Sequence, residues 1–156
     1  MTAVAGMGNL IVLLLSGPNL NMLGEREPEI YGSDSLADHV TTALAAADRF
    51  GLVIEHHQSQ HEGDLVTLVH GARGRVAAIV INPGALTHYA WSLHDALAAF
   101  DGPVIELHLS NPDSRETWRR TSVVAPVATG CISGLGGLGY RLAVEAVAEL
   151  LGVGTG

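Results

Sequence analysis

Short apolar runs alternate along the chain with stretches of helical periodicity. LIVLLL at Leu10–Leu15 has no polar interruption and reads as a strand buried on both faces. Leu36, Val40, Leu44 and Ala47 then recur on one face of a helix stopped by Gly51. Leu52–Ile54 opens a second strand. Ser59 and Glu62 make the S-x-x-E pattern of a capping box, ahead of a helix that buries Leu65, Leu68, Val69 and Ala72. Ala77–Ile81 is a third strand, followed by a helix with Ala90, Leu93, Leu97 and Phe100 on one face. Val104–Leu109 is a fourth strand and Val127–Ser133 a fifth. Leu142, Ala146, Val147 and Leu150 mark a final helix before Gly152.

Strands this apolar must be covered on both sides, and their alternation with helices predicts a parallel sheet. The expected fold class is α/β: a doubly wound, five-stranded parallel sheet of flavodoxin-like order in a three-layer α/β/α domain. A single domain is expected over residues 10–152, with flexible tails at residues 1–9 and 153–156. The length of 156 residues and the 47% hydrophobic content fit one domain with its own core.

Charge and composition then remove whole classes of function. Asp and Glu number 16 against 8 basic residues, for a net charge of −8, so no nucleic acid partner is expected. Every basic residue is an arginine; without lysine there is no Schiff base and no phosphate-loop lysine. The single cysteine, Cys131, excludes an internal disulfide and a multi-cysteine metal site, and its apolar neighbours suggest a small core residue. The longest apolar run is too short to span a bilayer and no basic stretch precedes it. No membrane association is expected, and the cytoplasm is the default location.

Ligands of such sheets bind beyond the carboxyl ends of the strands. Roughly eighteen residues separate the first strand from its helix, far more than the usual two to six, so this segment is a candidate lid. It carries Arg26 and Tyr31. A free tyrosine is a poor base at neutral pH, and a nearby guanidinium favours its phenolate; the alternative is a surface tyrosine beside a solvated arginine. The third strand ends in INPGALTH, which puts Asn82 at the crevice and His88 just beyond, with Asp95 seven residues later on the same helical face. Each of these could instead serve the local backbone or the solvent. On the fourth strand Glu106, His108 and Ser110 share one face by the period of two. A carboxylate behind a histidine fixes an imidazole tautomer for proton transfer, although a satisfied core histidine would look the same. Arg115 and Arg119, four apart, suggest a small anionic or polyhydroxylated ligand, or else a solvated arginine pair.

Two other patterns lose on inspection. Gly134, Gly136 and Gly139 fit G-x-G-x-x-G, but in the last strand–helix unit, with no following strand to carry a ribose-binding acid. His56, His57 and His61 with Glu55 and Glu62 match no standard metal spacing. A receiver domain would want an aspartate at Asn82 and a lysine, a flavin module a Ser/Thr-rich phosphate loop at Gly17–Asn19, and a serine hydrolase a G-x-S-x-G elbow. None of these is present.

The segments GPNLNMLGEREPEIYG, QSQHEGDL, INPGALTH, ELHLSN, RETWRR and ATGCISGLGGLGY occur in the order and spacing of one family. From about Leu10 to Leu151 the chain resembles the type II 3-dehydroquinate dehydratases. That resemblance implies a flavodoxin-like subunit in a homo-dodecamer of four trimers, a small-molecule substrate, and reversible dehydration of 3-dehydroquinate to 3-dehydroshikimate without metal or cofactor. The reaction serves the shikimate pathway or quinate catabolism. By motif, Tyr31 is the base that takes the proton alpha to the ketone, and Arg26 lowers its pKa and stabilises charge. Asn19 lies near the water that supports the enolate oxygen. His108, oriented by Glu106, protonates the departing hydroxyl in an anti elimination. Asn82, Leu109, Ser110, His88 and Arg119 hold the substrate carboxylate and hydroxyls. Asp95 matches an aspartate that reaches a neighbouring subunit's site, and Arg115 a second arginine over the crevice. The chain departs from the family pattern at Gln60, Tyr89, Ala90, Asp113 and Trp118.

Overall fold

The structure, a computed structural model, describes residues 9–153. Residues 1–8 and 154–156, most of the two expected tails, lie outside the described residues. The chain alternates β1 (Ile11–Ser16), α1 (Pro28–Tyr31), α2 (Leu36–Asp48), β2 (Val53–Gln58), α3 (Glu62–Ala72), β3 (Ala78–Asn82), α4 (Trp91–Ala98), β4 (Val104–His108), β5 (Gly130–Ser133) and α5 (Leu138–Leu150). All pairings are parallel and the sheet order is β2-β1-β3-β4-β5, the flavodoxin-like order. Alternate side chains of the strands feed two cores. Val12, Leu14, Val80, Ile105 and Leu107 pack under α2 and α5. Leu13, Leu15, Ile79, Ile81 and Val104 pack under α3 and α4. These are the three layers, and β1 and β3 are apolar along their length because each meets a core on both faces.

Local details depart from the pattern reading. The capping box forms on α2, where the Ser35 hydroxyl accepts from Asp38 N at 3.1 Å and Asp38 Oδ2 accepts from Ser35 N at 2.9 Å. It does not form at Ser59 and Glu62, because α3 starts at Glu62, too late for Ser59 to be its cap. There Ser59 donates to Asp64 at 2.6 Å, and Glu62 accepts from Ser92 of α4 at 2.5 Å. The buried face of α2 is His39, Ala43, Ala46 and Ala47, with Leu44 43% exposed. That of α5 centres on Tyr140, Ala143, Val144, Val147 and Ala148, with Leu150 49% exposed. Of the expected faces, Ala47 and Val147 are buried and Leu36 and Val40 pack against the core, whereas Leu44 and Leu150 point out, because alanines take much of the packed face of both helices. The fifth strand begins only at Gly130. Ala125–Val127 forms a 3-10 turn around Pro126, which has no N–H to give a ladder. Cys131, expected in the core, is exposed, because β5 is an edge strand.

Candidate active site

The carboxyl ends of β1, β3 and β4 open into one cavity. The backbone N–H of Gly17 donates to the Asn82 carbonyl at 2.8 Å, joining β1 to β3 just where they end. The segment from Gly17 to Ser35, expected as a lid, contains a 3-10 turn at Leu20–Met22 and the single-turn α1. Pro28 starts α1 with its φ already helical, and Gly32 at φ +84° ends it. Asn19 and Glu27 adopt left-handed backbone conformations (φ 68° and 41°), which are uncommon for residues with a side chain.

Of the residues predicted for the site, Asn19, Arg26, Tyr31, Asn82, His88, His108, Leu109, Ser110, Arg115 and Arg119 all line this cavity. Two guanidinium groups approach the Tyr31 ring, Arg26 at 5.2 Å and Arg115 at 5.1 Å from its centre. Arg115 also donates to the Ser110 hydroxyl at 3.2 Å within the segment after β4, and its contact with Tyr31 ties that segment to the lid. Arg115 and Arg119 do not share a helix: Arg115 is extended, and a 3-10 turn begins only at Thr117. Arg119 is held at 2.5 Å by Glu116 and lies over the Trp118 ring. His88 Nδ1 donates to the Thr121 carbonyl at 2.6 Å, leaving Nε2 as its other ring nitrogen. The Asn82 side chain accepts from Gly84 N at 3.2 Å and so braces the turn after β3.

Glu106 is the charged residue of the core, 2% exposed. Its Oε2 meets His108 Nε2 at 2.6 Å, as the shared strand face predicts. Burial disfavours its ionised form, but hydrogen bonds from His108, Thr87 and Ser122 outweigh that and hold the carboxyl below the ordinary glutamate value. Although Cys131 as a residue is exposed, its thiol approaches Oε1 at 3.5 Å, and partial burial of the thiol together with the Glu106 charge pushes its pKa up to about 11. It is a poor nucleophile there.

Asp95 is not brought to this cavity. The 3-10 turn Gly84–His88 ends before α4 begins at Trp91, with non-helical Tyr89 and Ala90 between, so His88 and Asp95 share no helical face. The Asp95 side chain is 85% exposed. The histidine group of β2 separates into pairs: His56 with the buried Ser16 hydroxyl at 2.9 Å, and His57 with Glu55, which Arg75 also grips. Among the described residues no cluster of three or more His, Cys, Asp or Glu could hold a metal ion. No helix there is long and apolar enough to cross a membrane.

Residues 10–148 match the family model described as dehydroquinase class II. The chain belongs to that family. It is 52% identical over 141 residues to 3-dehydroquinate dehydratase 2 of Pseudomonas putida, covering 90% of this chain and 95% of that one. It is 52% identical over 137 residues to a catabolic 3-dehydroquinase of Aspergillus clavatus, covering 88% and 91%. Among solved structures, the type II dehydroquinase of Butyrivibrio crossotus superposes with a TM-score of 0.86 at 38% identity, covering 89% of this chain and 97% of that one.

Within this member of the dehydroquinase family, several contacts carry no sequence signal. Gln60 accepts from Asn19 N at 2.8 Å and donates to Asn21 Oδ1 at 2.7 Å, so the family departure at Gln60 braces the left-handed turn of the lid. Thr87 and Ser122 both reach Glu106. Gln60 and Thr87 lie within the segments QSQHEGDL and INPGALTH, but lone hydroxyls such as Thr87 and Ser122 are indistinguishable from loop residues until the loops meet.

Proposed function

We propose that the chain is a type II 3-dehydroquinate dehydratase, a hydro-lyase that removes water from 3-dehydroquinate to form 3-dehydroshikimate, reversibly. The observation that carries this reading is a tyrosine with two guanidinium groups near its ring and a carboxylate-backed histidine lining one cavity. A base and an acid are what an elimination alpha to a ketone requires.

In this reading the Tyr31 oxygen takes the proton alpha to the ketone, and the electron pair passes to the carbonyl oxygen as an enolate. Arg26 and Arg115 offset the negative charge near the ring, and Asn19 supports the enolate through water. The enolate then collapses, the bond to the departing hydroxyl breaks, and His108 supplies the proton that makes it water. The departure is anti to the proton removed. Asn82, His88, Arg119, Ser110 and the Leu109 backbone hold the carboxylate and hydroxyls of the substrate. Family relatives at about half identity over most of the chain support the substrate and reaction.

Further parts of the proposal concern assembly and setting. The chain works as one catalytic domain over residues 10–152 in a cytoplasmic dodecamer of four trimers, where Asp95 reaches a neighbouring subunit's cavity. Its exposure on α4 leaves it free to do so. The deciding experiment is to add 3-dehydroquinate to purified protein and follow the absorbance of the conjugated enone, with and without a chelator. A rising signal that the chelator does not touch is expected; no signal in folded protein would sink the reading.

A further inference from the structure

The carboxylate of Glu106 is surrounded by hydroxyl groups from two loops. Thr87, in the 3-10 turn after β3, donates to Oε2. Ser122, in the segment before β5, lies 3.0 Å from Oε1 and 2.9 Å from Oε2. The two hydroxyls are also 3.0 Å from each other, so counting protons decides the direction of each bond. Ser122 Oγ accepts from Val124 N at 3.2 Å and from Ala125 N at 2.9 Å. These two donors occupy its lone pairs, and its single proton is left for Glu106. Thr87 then has no call to give its proton to Ser122, and its own proton also goes to the carboxylate.

We propose that Thr87 and Ser122 are positioning residues for the reaction: together they keep Glu106 ionised and purely an acceptor, which fixes the proton on His108 Nε2 and leaves Nδ1 as the nitrogen that exchanges a proton with substrate. This rests on the reading of His108 as the acid. An acceptor-only carboxylate at 2.6 Å demands an N–H from Nε2. With the ring N–H, the two hydroxyls let both carboxylate oxygens accept; without the Ser122 hydroxyl, Oε1 would keep only the Cys131 thiol at 3.5 Å, and the cheap remedy would be a proton on Glu106 and a reversed imidazole. The same loops also serve binding. Val123 N donates to the Thr87 carbonyl at 2.7 Å, and His88, next to Thr87, donates to the carbonyl of Thr121, next to Ser122. Closing these loops on each other sets a ligand-facing histidine and the carboxylate donors in one step.

The test uses Thr87→Val, which keeps shape and removes the donor, Thr87→Ser, which restores it, and Ser122→Ala as a second deletion. Three readouts are taken: kcat for enone formation, exchange of the alpha proton with solvent, and the ¹⁵N resonances of His108. In the wild type, with no substrate present, Nε2 is expected to carry a proton. Each deletion should lower kcat about 10- to 100-fold, the worth of one hydrogen bond to a charged group. Alpha-proton exchange should persist, and Thr87→Ser should recover most of the rate. A general disturbance of the cavity would lower exchange and elimination together and would overturn the inference. So would unchanged kcat in both deletions, or a wild-type His108 with Nε2 bare. If Thr87→Val fails to fold, Ser122→Ala decides by the same criteria. Because the nitrogen resonances need no turnover, a wild type inactive on 3-dehydroquinate would count against the proposed function alone.

Discussion

Gly17 and Pro83 touch where β1 and β3 end: a side-chain carbon built on Gly17 would lie 2.4 Å from the Pro83 carbonyl oxygen. Backbone meets backbone there, and the Gly17–Asn82 hydrogen bond at 2.8 Å holds the contact closed. Asn82 and the start of the lid take their places from this junction. Gly17→Ala must force the two chain ends apart. A loss of about 1–3 kcal/mol of stability is expected, the range for overpacking a tight site, with a fall in kcat/KM. Thermal unfolding and steady-state kinetics check it, and a variant equal to wild type in both would show that the junction yields freely.

Tyr31→Phe should leave the fold intact, since the ring keeps its place near Arg26 and Arg115. Turnover should fall by roughly 10²- to 10⁴-fold, the usual cost of losing a general base. Circular dichroism and an enone assay are sufficient. Near-wild-type turnover would remove Tyr31 from the mechanism.

His108→Ala should lower kcat and kcat/KM together, because in the proposed mechanism the acid acts only as the hydroxyl leaves. Glu106→Gln should act in the same direction but less, since the amide keeps the shape and can still accept from the ring. In the proposed mechanism alpha-proton exchange needs only Tyr31 and its arginines, so the His108 variant is expected to wash deuterium out of labelled substrate while forming little product. A normal kcat with a raised KM would make His108 a binding residue instead.

Borohydride added with substrate should neither inactivate the protein nor add mass, because the chain has no lysine to form a reducible imine. Intact-mass spectrometry reads the result directly, and a substrate adduct would contradict the enolate route.

His39 gives the protein a pH-dependent stability apart from its chemistry. It is buried, its ring stacks on Tyr140 with centroids 4.9 Å apart, and its Nε2 has no hydrogen-bond partner among the described residues. Burial lowers its pKa from the ordinary 6.5, against the opposing pull of Asp34 and Asp38. Below that value the unfolded chain takes up the proton more readily than the folded one, so stability is fully present above about 6.5 and falls as pH drops through the folded value. The slope is at most about 1.4 kcal/mol per pH unit for one histidine. His56, lowered by burial as well, adds to the same trend. His39→Phe should keep the stack and flatten part of the decline in denaturant midpoint between neutral and mildly acid pH. An unchanged pH profile would assign the decline elsewhere.

The central strands and their two-sided burial were legible in the chain itself, whereas the edge strands β2 and β5 are half-exposed. A strand such as β1 that meets a core on both faces is apolar at almost every position, and that need is written locally. Glu106 and His108 were legible for the converse reason: polar residues two apart on a strand with helices over its sheet need each other. Local pattern failed where bulk and burial part company, as on α2 and α5, whose inward faces carry alanines while Leu44 and Leu150 face out. It also placed His88 and Asp95 on one helix that the chain breaks at Tyr89. Only the tertiary structure could bring Arg115 to the Tyr31 ring and the hydroxyls of Thr87 and Ser122 to Glu106. A hydroxyl or a guanidinium in a loop has the same local sequence whether it meets water or a buried charge. Which of these it meets is decided by the order of strands in the sheet, because that order determines which loops share the carboxyl edge.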